Sequence, residues 1–268
     1  MKAASPLFSA ALAFGLCAFA AGSALAGAWT QKKGEGQIIA GATLTRSTHG
    51  FDDDGGVVQI PRYDKLEANL LVEYGVTDWL TTILQPQLLG VDIDDPVDAN
   101  TLGPGYTDLG ARARLWSDET SVFSAQVLGR IPGRFDGDNP AEIGKTAAEL
   151  DLRLLYGHGF TVEGMNAFVN SELGYRFRFD DPPNEVRADF TFGIRPDPKL
   201  LLLAQSFNTV SDGSAHGVFV DGTEHKIQLS VVWSLDDVWS LQLGSTATVI
   251  GENSLRERGV VAAVWRKF

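Results

Sequence analysis

Along most of this chain apolar and polar residues alternate with a period of two, and no stretch after Ala26 approaches the roughly 20 consecutive apolar residues of a transmembrane helix. From Lys65 to Tyr74, Leu66, Ala68, Leu70, Val72 and Tyr74 share one parity, while Lys65, Glu67, Asn69 and Glu73 share the other with Leu71. Leu109, Ala111, Ala113 and Leu115 likewise oppose Asp108, Gly110, Arg112 and Arg114, and Ala188, Phe190, Phe192 and Ile194 oppose Arg187, Asp189, Thr191 and Arg195. Side chains alternate across a strand, so each segment has an apolar face and a charged or small polar face.

Such segments predict about twelve strands, near 36–47, 63–74, 79–89, 106–116, 121–132, 146–157, 165–178, 185–195, 200–209, 224–234, 239–250 and 256–268. Each has about the 9–11 residues that cross a bilayer at a tilt. Tight turns at 75–78, 117–120, 196–199 and 235–238, with a longer one at 157–165, alternate with loops. Four of those loops, at 49–62, 90–105, 133–144 and 210–223, are long and acidic. That alternation, and a last segment ending on Phe268, predict an all-β, antiparallel up-and-down transmembrane barrel of about twelve strands with both termini periplasmic. Trp79, Trp116, Trp233, Trp239 and Trp265 fall at the turn ends, as an interfacial girdle requires, although simple alternation points Trp116 and Trp265 inward. A soluble β-sandwich also alternates, but it explains neither the connection lengths nor the terminal Phe, and its sheet edges need protection that closure makes unnecessary.

Residues 1–26 carry Lys2, an apolar run from Leu7 to Ala21, and Ala24-Leu25-Ala26 before Gly27, the pattern of a cleavable export signal. We therefore expect residues 27–268 to form a single barrel domain in the outer membrane of a Gram-negative cell. Cys17 lies in the signal, so disulfide and thiolate chemistry are not expected of the domain. Removing Lys2, the one charge of that segment, takes the formal charge from −12 to −13, and so acidic a chain is not expected to bind nucleic acid.

An arginine or lysine facing lipid at the bilayer midplane costs about 2–4 kcal/mol, so the charged parity faces the interior. The expected lumen-lining residues are Glu67, Glu73, Asp108, Arg112, Arg114, Arg130, Glu149, Asp151, Arg153, Glu172, Arg176, Arg178, Arg187, Asp189 and Arg195. Either they line a narrow aqueous path whose charge selects solutes, or they pair across strands and fill it. Pairing around 180–184 with Arg176 opposite Asp189 sets Arg178 beside Arg187, an unneutralised pair that favours a path for anions.

Catalytic chemistry finds no constellation. His49, His158 and His216 fall in expected loops or turns, and His225 and Ser230 have opposite parity. Asp151 and Glu172 can approach as paired carboxylates, a geometry that structural charge networks also use. No metal-spaced histidine pair or phosphate loop is present, and no cofactor is expected. Asp52-Asp53-Asp54 and Asp136-Gly137-Asp138-Asn139 offer oxygen ligands for a divalent cation, against the commoner alternative of a solvated acidic surface.

The run Glu73-Tyr74-Gly75-Val76-Thr77-Asp78-Trp79-Leu80-Thr81, with Gly105-Tyr106-Thr107-Asp108-Leu109-Gly110-Ala111-Arg112-Ala113-Arg114-Leu115, resembles bacterial outer-membrane proteins grouped under the meta-pathway of phenol degradation. Ala28-Trp29 and Gly34-Glu35-Gly36-Gln37 are similar to the start of barrels associated with extracellular polysaccharide or adhesin production. The resemblance implies a porin-like or transporter-like barrel and a role for Phe268 in recognition by the barrel-insertion machinery. Arg266 departs from the pattern, because terminal strands of such barrels often carry an aromatic or apolar residue there. The expected function is non-catalytic passage of a small or extended hydrophilic solute, anions among the candidates. The alternative is a closed structural or adhesion-associated barrel that binds a partner, polysaccharide or cations through its acidic loops. The expected partners are outer-membrane lipid, the insertion machinery and an unknown small or polysaccharide solute.

Overall fold

A computed structural model describes residues 27–133, 139–145, 147–213, 215–216 and 219–268. The export signal with Cys17 and the Asp136–Asp138 run lie outside them. Twelve antiparallel strands form one closed sheet. They are β1 (Gly36–Phe51), β2 (Val57–Thr77), β3 (Leu80–Ile93), β4 (Ala99–Ser117), β5 (Ser121–Ile131), β6 (Glu149–Val162), β7 (Met165–Arg178), β8 (Asn184–Asp197), β9 (Leu200–Asp212), β10 (Thr223–Ser234), β11 (Trp239–Glu252) and β12, which is Ser254–Leu255 continued as Arg258–Lys267. Each strand pairs with its sequence neighbours, and β1 pairs with both β2 and β12, from Gln37 opposite Lys267 to Phe51 opposite Ser254. Closure leaves no sheet edge, which suits lipid, where an unpaired backbone group has no water to bond.

The outward parity is apolar. Leu44, Leu70, Leu109, Leu154, Leu173, Phe190, Leu229, Leu243 and Val260 are exposed around the wall, a continuous surface that only a bilayer covers. Among the described residues no helix is long and apolar enough to cross a membrane. Trp79, Trp116, Trp233 and Trp239 are exposed at the turn end, while Trp265 turns inward and its Nε1 donates to Gln242 Oε1 at 3.2 Å. The inward expectation fails for Trp116. A bulge between Arg114 and Trp116 adds a residue and sets Leu115 and Trp116 both outside. The guanidinium of Arg266 lies over the Trp239 ring, 5.6 Å from its centroid, which keeps its charge at the aromatic border.

Several boundaries differ from the expected ones. Expected loops 49–62 and 90–105 are largely strand, since β1 runs to Phe51, β2 begins at Val57, β3 runs to Ile93 and β4 begins at Ala99. Their hydrophilic residues read as loop, but strand pairing continues above the apolar belt. The longer turn at 157–165 is instead a two-residue turn, Glu163-Gly164, with φ of 48° and 80°, the left-handed pair that matches the twist of a tight hairpin.

Candidate functional site

The interior is built from the charged parity of the strands. Glu67, Glu73, Arg112, Arg130, Glu149, Asp151, Glu172, Arg176, Arg187 and Asp189 are buried inside the barrel. Arg153, Arg178 and Asp108 are nearly so, while Arg114 and Arg195 sit half-buried toward the turn end. An ion held in such a space has lost most of its water, a cost that a partner of opposite charge offsets.

The partners are other side chains of the wall. Arg130 bonds Asp108 at 2.9 Å and reaches Glu149. Asp151 accepts from Arg153 Nε at 2.6 Å and Arg176 Nη2 at 2.8 Å. Arg153 Nη1 also meets Glu172 at 3.0 Å and Asp189 at 2.8 Å, so the two carboxylates Asp151 and Glu172 are bridged through one guanidinium. Arg178 lies 3.0 Å from Glu149 and 3.2 Å from Glu185.

The expected register of the β7–β8 hairpin is wrong. Arg176 is opposite Glu185, Glu172 opposite Asp189, and Arg187 faces Gly174, so Arg178 and Arg187 are not cross-strand neighbours. The hairpin loop sets the register, and the chain turns at 179–183, short enough to draw Glu185 against Arg176. The unneutralised arginine pair that favoured anions is therefore not formed.

A second cluster occupies the loop end. Lys65 Nζ lies 2.7 Å from Glu257 and 3.5 Å from Glu67, while Lys226 bridges Glu257 and Glu224, the latter at 3.0 Å. Lys65, Glu185, Glu224 and Lys226 were not among the expected lining residues. Lys65 and Glu185 share parity with Glu67 and Arg187, which is the signal that marks them. Glu224 and Lys226 share parity with Gln228 and Ser230, opposite His225, Ile227 and Leu229, so the same signal marks them.

The turn end is filled differently. Residues 27–33 precede β1, and of these 27–31 enter the barrel instead of joining its wall, while Lys32 and Lys33 are exposed beside the β2–β3 turn. Ala28 is fully buried, its N–H donates to Asn170 Oδ1 at 2.7 Å, and its carbonyl accepts from Ser124 Oγ at 2.6 Å. The Trp29 carbonyl accepts from Arg112 Nη1 at 3.0 Å, and its indole meets the Phe168 ring edge-on with centroids 5.9 Å apart. Gln31 N–H donates to Thr81 Oγ1 at 2.8 Å, and Gln31 Nε2 to Glu73 Oε2 at 3.0 Å. Arg112 in turn donates to Glu73 Oε1 at 2.7 Å, tying the segment to β2 and β4 at once. Nothing in the composition of 27–31 marks it as internal, because its side chains suit solvent as well.

Beside this segment a cavity of about 940 Å³ opens at the turn end between β7 and β12. Its walls include Phe168, Asn170, Thr191, Arg195, Leu203 and Trp265. Gly193 leaves room for the Phe168 ring, which any Cβ at that position meets.

Ser121 and His158 are directly paired across β5 and β6, with Oγ and Nδ1 2.9 Å apart, a proximity the sequence did not reveal. The nearby Asp118 carboxylate accepts the Thr120 and Ser121 N–H groups of its own turn, so it orders the turn and does not orient the histidine. In the first loop Asp52 Oδ1 accepts from Gly56 N–H at 2.6 Å and Asp54 N–H at 3.1 Å. Among the described residues no three acidic or histidine side chains converge as metal ligands do.

The model of the family described as the MetA-pathway of phenol degradation matches residues 5–263. The chain belongs to that family. No curated protein matches the sequence. Among solved structures, an outer-membrane channel from Pseudomonas putida F1 superposes with a TM-score of 0.75 at 16% identity, covering 90% of this chain and 97% of that one. The NanC porin gives a TM-score of 0.55 at 9% identity, covering 86% and 100%. The translocator domain of the autotransporter NalP from Neisseria meningitidis gives 0.51 at 11%, covering 89% and 90%. At these identities the likeness is one of fold, and the protein is a closed twelve-strand β-barrel of the Gram-negative outer membrane.

Proposed function

We propose that this barrel is a non-catalytic, porin-like conduit for small water-soluble organic solutes, shut at rest by residues 27–31 and by the paired charges above them. One observation carries the reading: the obstruction at the turn end is a peptide segment held by hydrogen bonds, not part of the barrel wall, and it abuts a cavity open to solvent. Eight strands leave an interior that side chains fill, and 16 or more leave a channel, so a twelve-strand barrel has space that must be occupied or traversed. The turn end faces the periplasm in this reading, and the acidic loops face outward. Since Arg112, Arg130, Arg153, Arg176 and Arg178 pair with carboxylates, the charge network supplies no ring of one sign, and the anionic preference first expected does not rest on it.

The filled charge network favours a second reading, a closed structural barrel whose acidic loops meet a partner, polysaccharide or cations. Planar-bilayer recording separates the two. Removing residues 28–32 opens a conductance several times that of the full chain if the segment is the closure. Silence from both proteins at every voltage refutes the conduit.

A further inference from the structure

The cavity beside residues 27–33 is unlike the rest of the interior. Leu201, Leu203 and Val232 are buried together inside the barrel, with Phe168 and Trp265 packed against them, so one wall of an otherwise charged lumen is apolar and aromatic. Arg195 lines the same cavity. It follows Gly193 and Thr191 on the inward parity of β8 and is half-buried. Among the described residues no carboxylate lies within ion-pairing distance of it, in contrast to Arg130, Arg153 and Arg176 deeper inside.

The other charges that line the cavity, Lys199, Lys267, Asp236 and Asp237, are exposed at its mouth and balance one another. Asp236 is further committed to its turn, accepting the Val238 and Trp239 N–H groups at 2.8 and 2.7 Å. Arg195 is thus the one ionised side chain of the cavity that is drawn back from solvent and lacks a counter-charge. An unpaired cation above an apolar wall is complementary to an anion with an apolar body, and a cavity of about 940 Å³ lies within the range of small-molecule sites.

We propose that this vestibule binds amphipathic monocarboxylates, with the carboxylate on Arg195 and the hydrocarbon or aryl body against Leu201, Leu203, Val232, Phe168 and Trp265. The site deepens the conduit reading by naming a solute class, and it rests on that reading only for its role in transport. Guanidinium and carboxylate match as a two-pronged hydrogen-bonded pair, and the apolar wall adds affinity that a fully polar solute does not gain. Neutral molecules of the same shape keep the wall contacts and lose the pair.

The test uses the full-length barrel in lipid nanodiscs, with protein-free discs to subtract partitioning into lipid. Isothermal titration with 2-naphthoate and with its neutral counterpart 2-naphthylmethanol measures the two contributions. The expected result is saturable binding of 2-naphthoate that weakens about tenfold in Arg195→Gln and recovers in part in Arg195→Lys, with 2-naphthylmethanol unchanged. Leu203→Gln weakens both ligands. Retention of the heat-dependent gel shift of a folded barrel shows that each variant is assembled. Naphthoate uptake no greater than that of empty discs, or equal affinity in wild type and Arg195→Gln, overturns the proposal. Binding without conductance in the truncated barrel keeps the site and sinks the conduit, whereas conductance without binding does the reverse.

Discussion

Arg112 and Glu73 meet at 2.7 Å inside the barrel, and the same guanidinium donates to the carbonyl of Trp29, so one buried ion pair joins two wall strands to a segment that belongs to neither. Both side chains are essentially without solvent exposure. Losing one partner of such a pair strands the other, at a cost of about 3–5 kcal/mol. Gln31 and Gln37 still donate to Glu73, at 3.0 and 2.6 Å, and temper that loss.

Arg112→Met should therefore loosen residues 27–33 before it unfolds the barrel. The measure is the labelling rate of a single cysteine at Ala28, introduced together with Cys17→Ser, by a membrane-impermeant maleimide. We expect slow labelling in the parent and labelling at least about tenfold faster with Arg112→Met, corresponding to about 1.4 kcal/mol in the opening equilibrium. Equal rates would show that Arg112 does not hold the segment.

Asp151 accepts from both Arg153 and Arg176, so Asp151→Asn leaves two buried guanidinium groups short of charge. We expect a loss of about 3 kcal/mol, read as a lower urea midpoint for the folded barrel, while Asp53→Asn in the exposed first loop leaves the midpoint unchanged. Coincident midpoints for all three proteins would mean that the network carries no net stability.

The barrel seam predicts a different behaviour. Gly36 and Phe268 exchange backbone hydrogen bonds of 2.8 and 3.0 Å, and a Cβ at Gly36 meets both the Phe268 ring and the Glu73 carbonyl oxygen. Gly36→Val is expected to lower refolding yield in detergent by preventing this closure. Phe268→Ala is expected to refold in detergent but to reach the outer membrane of cells in reduced amount, because its proposed role is in recognition during assembly. Equal membrane abundance of Phe268→Ala and the parent discards that role.

Two turn carboxylates give a pH dependence. The Thr120 and Ser121 N–H groups hold the Asp118 carboxyl below the usual carboxylate range, and the Trp239 and Val238 N–H groups do the same for Asp236. A carboxylate depressed in the folded state stabilises its turn above the unfolded value of about 3.9 and loses that contribution as pH falls through the folded value. Titration of the side-chain carboxyl carbons by NMR should give midpoints below 3.9 at both positions. Asp236→Asn should remove the acid-induced rise in Val238 and Trp239 amide exchange that remains after the intrinsic pH dependence is removed. A midpoint at the ordinary value for either carboxyl contradicts the turn geometry.

The wall was legible because alternation is a local property. Leu66 through Tyr74 or Ala188 through Ile194 reveals which parity meets lipid without knowledge of any neighbour, since a charge on that face is costly wherever the strand lies. Trp116 was misplaced because a bulge adds one residue, and parity after a bulge is set by hydrogen bonding to the next strand. Arg176 was assigned to Asp189 when it lies opposite Glu185, because hairpin register depends on where the chain turns. Lys65 carries the same parity signal as Glu67 and is buried beside it.

The sequence by itself determined the class of this protein: a period of two, tight turns between strands, apolar faces and a charged interior parity leave a closed membrane barrel as the arrangement that satisfies backbone and side chains together. Only the tertiary structure decided what the interior contains. Which charge meets which partner, the entry of residues 27–31, and the isolation of Arg195 over an apolar wall all depend on contacts between residues far apart in the chain. Strand periodicity records the face of each residue, while the occupancy of the lumen follows from register and closure, which fix distances across the barrel.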